Sequence, residues 1–399
     1  MTNQRRQKAF GGFYFFYFAA HVCISNYLNV YLEKYLGFTG KELGLFSGLT
    51  IFLSLFLIPV WGILSDRTDG YRPMLILFMT ALLAFAGMFS VQRAFAGAML
   101  FGIGLELARS GVLSMADTQA MDYETAHGGN YGRDRSMGSL GWILSGVAVG
   151  IAADRVGLNH LLFPVYLSGI GIALVMAVCF PKHERRKAPD SEARAAGGRS
   201  GVHPLRVLLS NRRFLFVMLI TIMTGVTADS ILGFTGNHLV TTLHGPDSMI
   251  SLNTACCAVP EFFYLGIVTS RVLPKLGFRK LYLFSAAALV LRFVIYSLTT
   301  SPYLFVAASL LHFTAVGTNT AVNLAYMKRI VPAECFGTAV TLMYTATMLG
   351  RAVYTWAYGQ LYDLSGSFAI YRATLFIAAA AVVLIAFSHA FDVPVEAKV

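Results

Sequence analysis

The sequence predicts an all-helical membrane protein of twelve spans, and three observations carry that prediction. The 399 residues are 56% hydrophobic, with a mean hydropathy of +0.63. Charged residues make up only 13%, against about 25% in a soluble domain. Apolar stretches of about 20 residues, the length that crosses a bilayer, recur along the chain and leave no room for a large soluble domain. Lipid cannot satisfy an open backbone, so each span has to be a helix.

In chain order the first six spans fall at residues 10–34, 43–65, 73–91, 94–122, 136–157 and 160–180. The first is too long for a cleaved signal peptide and has no small-residue cleavage site, so it is expected to be retained. The fourth carries polar residues inside its length. A polar, charge-rich segment then begins at Pro181 and continues through Arg213. It is expected to be a linker (182–213), with a short amphipathic helix at Val202–Leu209 lying on the membrane surface. Six further spans follow at 214–240, 249–272, 279–299, 302–327, 335–362 and 368–391, the tenth and eleventh again with polar residues inside. The predicted domains are thus 1–181 and 214–399. Six spans on each side of a basic middle segment is the layout of transporters built from repeats.

The net charge of +11 is distributed by loop. Lys and Arg concentrate in alternate connections: Arg5, Arg6 and Lys8; Arg67 and Arg72; Arg133; Lys182 to Arg213; Arg271 to Lys280; Lys328 and Arg329. The intervening loops hold only Lys34, Lys41, Arg93, Arg155 and Arg372. This is positive-inside asymmetry rather than a nucleic-acid surface. It predicts a multi-pass protein of the plasma or inner membrane, with both termini and the central loop in the cytoplasm. The five cysteines form no CxxC pair, so neither a disulfide framework nor a zinc site is expected. The sequence contains no G-x-x-x-x-G-K-[ST], H-E-x-x-H or G-x-S-x-G motif, which argues against ATP-driven, zinc-protease and serine-hydrolase chemistry. No enzyme activity, cofactor or metal is expected. The expected partners are a small solute, protons and the bilayer, with the chain monomeric.

Ionisable residues inside spans are costly and mark functional positions. They are Glu106, Arg109, Asp117, Arg135, Asp229, Glu261, Arg292, His312 and Arg351. Their near balance of sign suggests pairs, because an unpaired buried charge costs several kcal/mol. Helical phase places Arg135 and Trp142 on one face, and Glu106 and Asp117 on one face. Glu106 and Arg109, at i and i+3, also have the spacing to neutralise each other. His312, Asn319 and Asn323 form a polar stripe on the tenth span. These faces are expected to line a central aqueous cavity. Carboxylate, guanidinium and indole together suit a sugar, whose hydroxyls take charge-assisted hydrogen bonds and whose ring packs on the indole. A second reading stays open from spacing alone: Arg135 on a lipid phosphate and Trp142 as an interfacial anchor.

Two stretches carry a family resemblance. GILSDRTDGYRP, between spans two and three, resembles the cytoplasmic loop signature of the major facilitator superfamily through Gly62, Asp66, Arg67, Gly70 and Arg72. A degenerate echo, SRVLPKLGFRKL, joins spans eight and nine. DTQAMDYETAHGGNYGRDRSMGSLGW, from Asp117 to Trp142, resembles the lactose permease branch of that superfamily, with its relatives for oligosaccharides, nucleosides and phenylpropionate. The resemblance implies the twelve-helix facilitator fold with inverted repeats, and proton-coupled symport of a sugar or oligosaccharide by alternating access. It places substrate-binding roles on Asp117, Arg135, Trp142, Asn237, Glu261 and His312. Proton-coupling roles fall on Glu261, His312, Arg292 and Asp229. The chain departs from the permease pattern at the main proton carrier, here Ala315, and at a charge pair, here Leu232 and Ser309. The lysine partner of Asp229 is replaced by Thr347, and Arg351, one turn on, is expected to pair with Asp229 instead. The same fold carrying an aromatic acid, nucleoside or siderophore, or working as an efflux pump, is the alternative.

Overall fold

A computed structural model of the chain describes residues 3–67, 71–127, 130–181 and 204–394. Every regular element among them is a helix. Six long helices come first: α1 (Asn3–Leu36), α2 (Gly40–Arg67), α3 (Tyr71–Ser90), α4 (Phe95–His127), α5 (Tyr131–Val156) and α6 (Leu158–Val178). The short α7 (Pro204–Ser210) stands where the amphipathic surface helix is expected and buries Leu208; the linker residues 182–203 lie outside the described residues. Six more follow: α8 (Arg212–Thr242), α9 (Ser248–Ile267), α10 (Leu273–Leu298), α11 (Pro302–Ile330), α12 (Phe336–Ser365) and α13 (Ser367–Phe387). Among the described residues, nine of the twelve long helices are apolar enough to cross a membrane by length and composition alone. The other three, α1, α9 and α12, carry hydroxyl, amide or charged side chains within their lengths.

Local chemistry sets several boundaries. Asn130 caps α5 by accepting the backbone N–H of Arg133 at 3.0 Å, which fixes the first turn from which Arg135 projects. Asn211 caps α8 in the same way, through Arg213 and Phe214. Gly277 interrupts α10 with φ of 73°, a left-handed conformation that glycine adopts without Cβ strain. The break separates the eighth and ninth spans where the sequence predicts a turn. π-Helical turns at Ile222–Val226, His238–Thr242, Val268–Val272 and Thr318–Val322 recur in the helices that carry Asp229, Asn237, Glu261 and His312, in keeping with the frequency of such turns near functional positions.

The chain divides into two compact units: residues 1–186 with 235–252, and residues 187–234 with 253–399. In the first unit, α1 packs along α5 and α6. Small residues permit the approach: a Cβ on Gly141 would lie 2.2 Å from the Phe15 carbonyl oxygen, and one on Gly169 would lie 2.8 Å from the Ala20 Cβ. Such contacts take the place of hydrophobic driving force between helices in lipid. The first unit is not simply the first six spans, as the sequence predicts, because residues 235–252 bond into it. Asn237 donates to the Asn29 carbonyl at 2.9 Å and to Glu33. Lys34 pairs with Asp247 at 3.4 Å, the Ser248 N–H donates to Asp154 at 3.0 Å, and Ser251 bridges Tyr27 and the Gly146 carbonyl.

In the second unit, α10 packs on α13 and on the segments of α11. Asn323 is buried and bonded on two sides, to the Thr221 hydroxyl at 2.8 Å and to Tyr282. Asn319 meets Thr224 at 3.3 Å, against the bare backbone of Gly225. The polar stripe predicted to line a cavity is therefore, at these two positions, an interhelical lock: amides inside a bundle find partners on the next helix.

Candidate functional site

The first unit brings together the acid, the guanidinium and the indole that the sequence singles out. Asp117 on α4 lies 3.5 Å from the Arg135 Nε on α5, and the two side chains are 29% and 31% exposed. That exposure leaves both groups able to reach a solute. The Tyr14 hydroxyl on α1 donates to the same carboxylate at 2.7 Å. The Arg135 guanidinium lies over the rings of Phe18 (4.4 Å) and Tyr14 (5.3 Å), a cation–π arrangement that holds the fork flat. A Cβ on Gly138 would lie 2.6 Å from Phe18 and 3.3 Å from Arg135, so the missing side chain makes room for both. Trp142, partly exposed, sits edge-on to His21 at 5.7 Å and tilted to Phe18 at 6.4 Å. Tyr14, Phe18 and His21 follow i, i+4, i+7 spacing and present one face.

A second polar group stands further along the same helices. Arg109 donates through Nε (2.8 Å) and through one terminal nitrogen to Glu106, and its other terminal nitrogen meets His21 Nε2 at 3.3 Å. The Glu106–Arg109 neutralisation expected from spacing is present; the His21 contact from α1 is not legible in the sequence.

In the second unit, Arg292 is fully buried. It bonds the His312 Nδ1 at 2.7 Å and the Tyr296 hydroxyl at 3.0 Å. The chain continues from Tyr296 to Ser309 at 2.6 Å and on to Asn253. Ser309, in place of the permease's lysine, is thus a hydrogen-bond relay, whereas Ala315 is packed and buried. Glu261 is partly exposed and lies within electrostatic range of Asp229. Among the described residues, no hydrogen bond or ion pair joins Glu261 to His312 or Arg292. Asp229 senses both Arg351 and Arg292, but the expected Asp229–Arg351 pair does not close to within 4 Å. The Nε atoms of Arg351 and Arg292 are buried without a partner among the described residues. Thr347 turns back on its own helix to the Tyr344 carbonyl.

Asn237 is fully buried in the first unit; its amide nitrogen donates to the Asn29 carbonyl and to Glu33, and its Oδ1 has no partner among the described residues. Of the loop signature, Arg72 donates to the Val178 carbonyl. Gly70 and the side chains of Asp66 and Arg67, with Gly62, lie outside what the structure describes. A cleft of about 460 Å³ lined by Tyr31, Tyr35, Arg93, Asn159 and His160 lies among other residues of the first unit and includes none of these groups.

The model of the MFS_1-like family matches residues 9–373, nearly the full length. The chain belongs to this family of the major facilitator superfamily. The facilitator is 26% identical over 379 residues to the uncharacterized transporter YwbF of Bacillus subtilis, covering 92% of this chain and 90% of that one. It is 26% identical over 358 residues to the maltose permease of Geobacillus stearothermophilus, covering 88% and 85%. Its fold matches the crystal structure of the nucleoside transporter NupG with a TM-score of 0.81 at 16% identity, over 98% of this chain and 100% of that one. The protein is a multi-pass membrane protein of the lactose permease-like branch and a secondary transporter of the facilitator type.

Proposed function

We propose that this facilitator couples movement of a neutral, hydroxyl-rich solute, a sugar or oligosaccharide, to the movement of protons across the plasma or inner membrane. The observation that carries the reading is the half-open Asp117–Arg135 pair with the Tyr14 hydroxyl at its side and Phe18 and Trp142 next to it. The pair has no net charge and offers both donors and an acceptor. Hydroxyls take both roles, and the apolar face of a pyranose ring packs on an indole. The similarity to a protein named maltose permease supports the same class.

The second unit supplies the coupling group. Glu261 and Asp229 are two carboxyls within electrostatic range of one another, with Arg292 and Arg351 in range of Asp229. A proton bound there changes the local charge, and the Arg292–His312–Tyr296 chain is the structure that reads the change. Coupling is then a population shift: protonated, loaded and empty states differ in the facing they prefer. Glu261→Gln in proteoliposomes is expected to abolish uptake driven by an imposed pH gradient while leaving solute exchange intact. Undiminished gradient-driven uptake would reject Glu261 as the coupling acid.

A second reading is favoured by one observation, the two partnerless guanidinium Nε atoms of Arg292 and Arg351. They suit an anionic group, as on an aromatic acid, rather than a neutral polyol. An uptake screen of sugars, nucleosides and aromatic acids separates the two, and imposed gradients of either sign separate uptake from efflux.

A further inference from the structure

The geometry points to a second binding station for the solute, formed by Glu106, Arg109 and His21, which makes the site of the first unit long enough for a disaccharide. The inference rests on the sugar reading and deepens it. Its first support is hydrogen-bonding capacity. A guanidinium has five N–H groups, and three of those of Arg109 meet Glu106 and His21, which leaves two. Arg109 can only donate, so His21 Nε2 is the acceptor and the neutral ring carries its proton on Nδ1. That Nδ1 is buried and has no partner among the described residues. The Tyr17 hydroxyl, on a ring stacked against His21 at 6.0 Å, is likewise buried and partnerless. Buried polar atoms are ordinarily satisfied, so two orphans in one cluster mark a place for an absent group. On Glu106, Oε1 accepts from none of the described residues. The station thus offers donors and an acceptor and no net charge, which matches a hydroxyl and not an anion.

The second support is position. Tyr14 and His21 lie on one face of α1 seven residues apart, about 10 Å along the axis, and Asp117 and Arg109 lie eight residues apart on α4, about 12 Å. Phe18 and Trp142 stand between the two stations and supply an apolar ring platform. Two polar ends joined by aromatic faces over that length fit two linked pyranose rings. The Arg109 side chain is 31% exposed, equal to Arg135, while Glu106 is 13% exposed against 29% for Asp117, so the second station is deeper than the first and meets a solute through Arg109.

The test is binding to the purified full chain in detergent, by titration calorimetry, with glucose, galactose, maltose, lactose and sucrose as probes. The wild type is expected to bind at least one disaccharide about tenfold or more tighter than either hexose, the equivalent of one or two hydrogen bonds. His21→Ala and the paired Glu106→Gln/Arg109→Gln variant, which removes both charges together, should collapse that preference, so that disaccharide and hexose affinities measured on the same variant fall within about twofold of one another. His21→Gln, which keeps a donor, should retain part of it, and it carries the test if His21→Ala does not fold. A disaccharide preference that survives in folded His21→Ala or in the paired variant overturns the second station while the sugar reading stands. A wild type that binds hexoses as tightly as disaccharides does the same. A wild type that binds none of the five probes overturns the sugar reading and this inference together.

Discussion

Asp117→Asn separates a group that binds solute from one that holds helices together. The Asp117–Arg135 contact is 3.5 Å long and both partners are about three-tenths exposed, so solvent screens it, and its share of stability is that of an exposed pair, about 0.2–1 kcal/mol. Tyr14 donates to Oδ1, and an amide oxygen at that position still accepts. Loss of charge therefore costs the fold little, and the melting temperature in detergent should move by no more than a few degrees. Bound solute feels the change more strongly. A hydrogen bond to a charged group contributes about 1.5–3 kcal/mol against 0.5–1.5 for a neutral one. Two hydroxyls on the carboxylate would then lose about 2–3 kcal/mol together, or roughly 30- to 150-fold in Kd at 1.4 kcal/mol per decade. The assay is titration calorimetry with the transported solute, paired with thermal unfolding of the same preparation. A Kd within threefold of wild type, or a large fall in melting temperature without a binding change, would show that the pair is a structural clamp and would refute the argument.

Two further outcomes are expected, beside those already given for Glu261 and for His21. Gly141→Ala should destabilise by about 1–3 kcal/mol or more, because its Cβ would meet the Phe15 backbone oxygen at 2.2 Å and no side chain can swing aside; Gly87→Ala, with open space at its Cβ, is the control in thermal unfolding. Asp247, in the connection between α8 and α9, has its carboxyl raised above the ordinary value of 3.8, chiefly by burial and against the pull of Lys34. The folded state therefore binds the proton more tightly than the unfolded state, so Asp247 makes stability fall as pH rises from about the ordinary value to the raised one, and flat above it. Melting temperatures of wild type and Asp247→Asn across pH 3.5–7 should converge at the acid end, and parallel curves would show that the carboxyl is not linked to unfolding.

What the sequence by itself determined follows from the solvent. Hydrocarbon accepts only helices of a certain length and charges only at a cost, so spans, the break at Gly277 and the small set of intramembrane ions stand out in composition alone. Asp117, Arg135 and Trp142 could be grouped because helical phase relates residues on one helix and few charges are available to pair. The partners from α1 could not. FYFFYFAAH, from Phe13 to His21, sets Tyr14, Tyr17 and His21 at i, i+3 and i+7 on one face, but that spacing does not say which helix the face meets. Only the close packing of α1 on α5, allowed by Gly141, decides that Tyr14, Phe18 and His21 meet the ions. The same holds where expectation and structure part. Asn323 is expected from its place on the polar stripe to line a cavity, yet its amide bonds Thr221 and Tyr282 on neighbouring helices, and the Asn237 nitrogen likewise goes to Asn29 and Glu33. Periodicity tells which way a side chain leaves its own helix, and tertiary packing alone tells what it finds there.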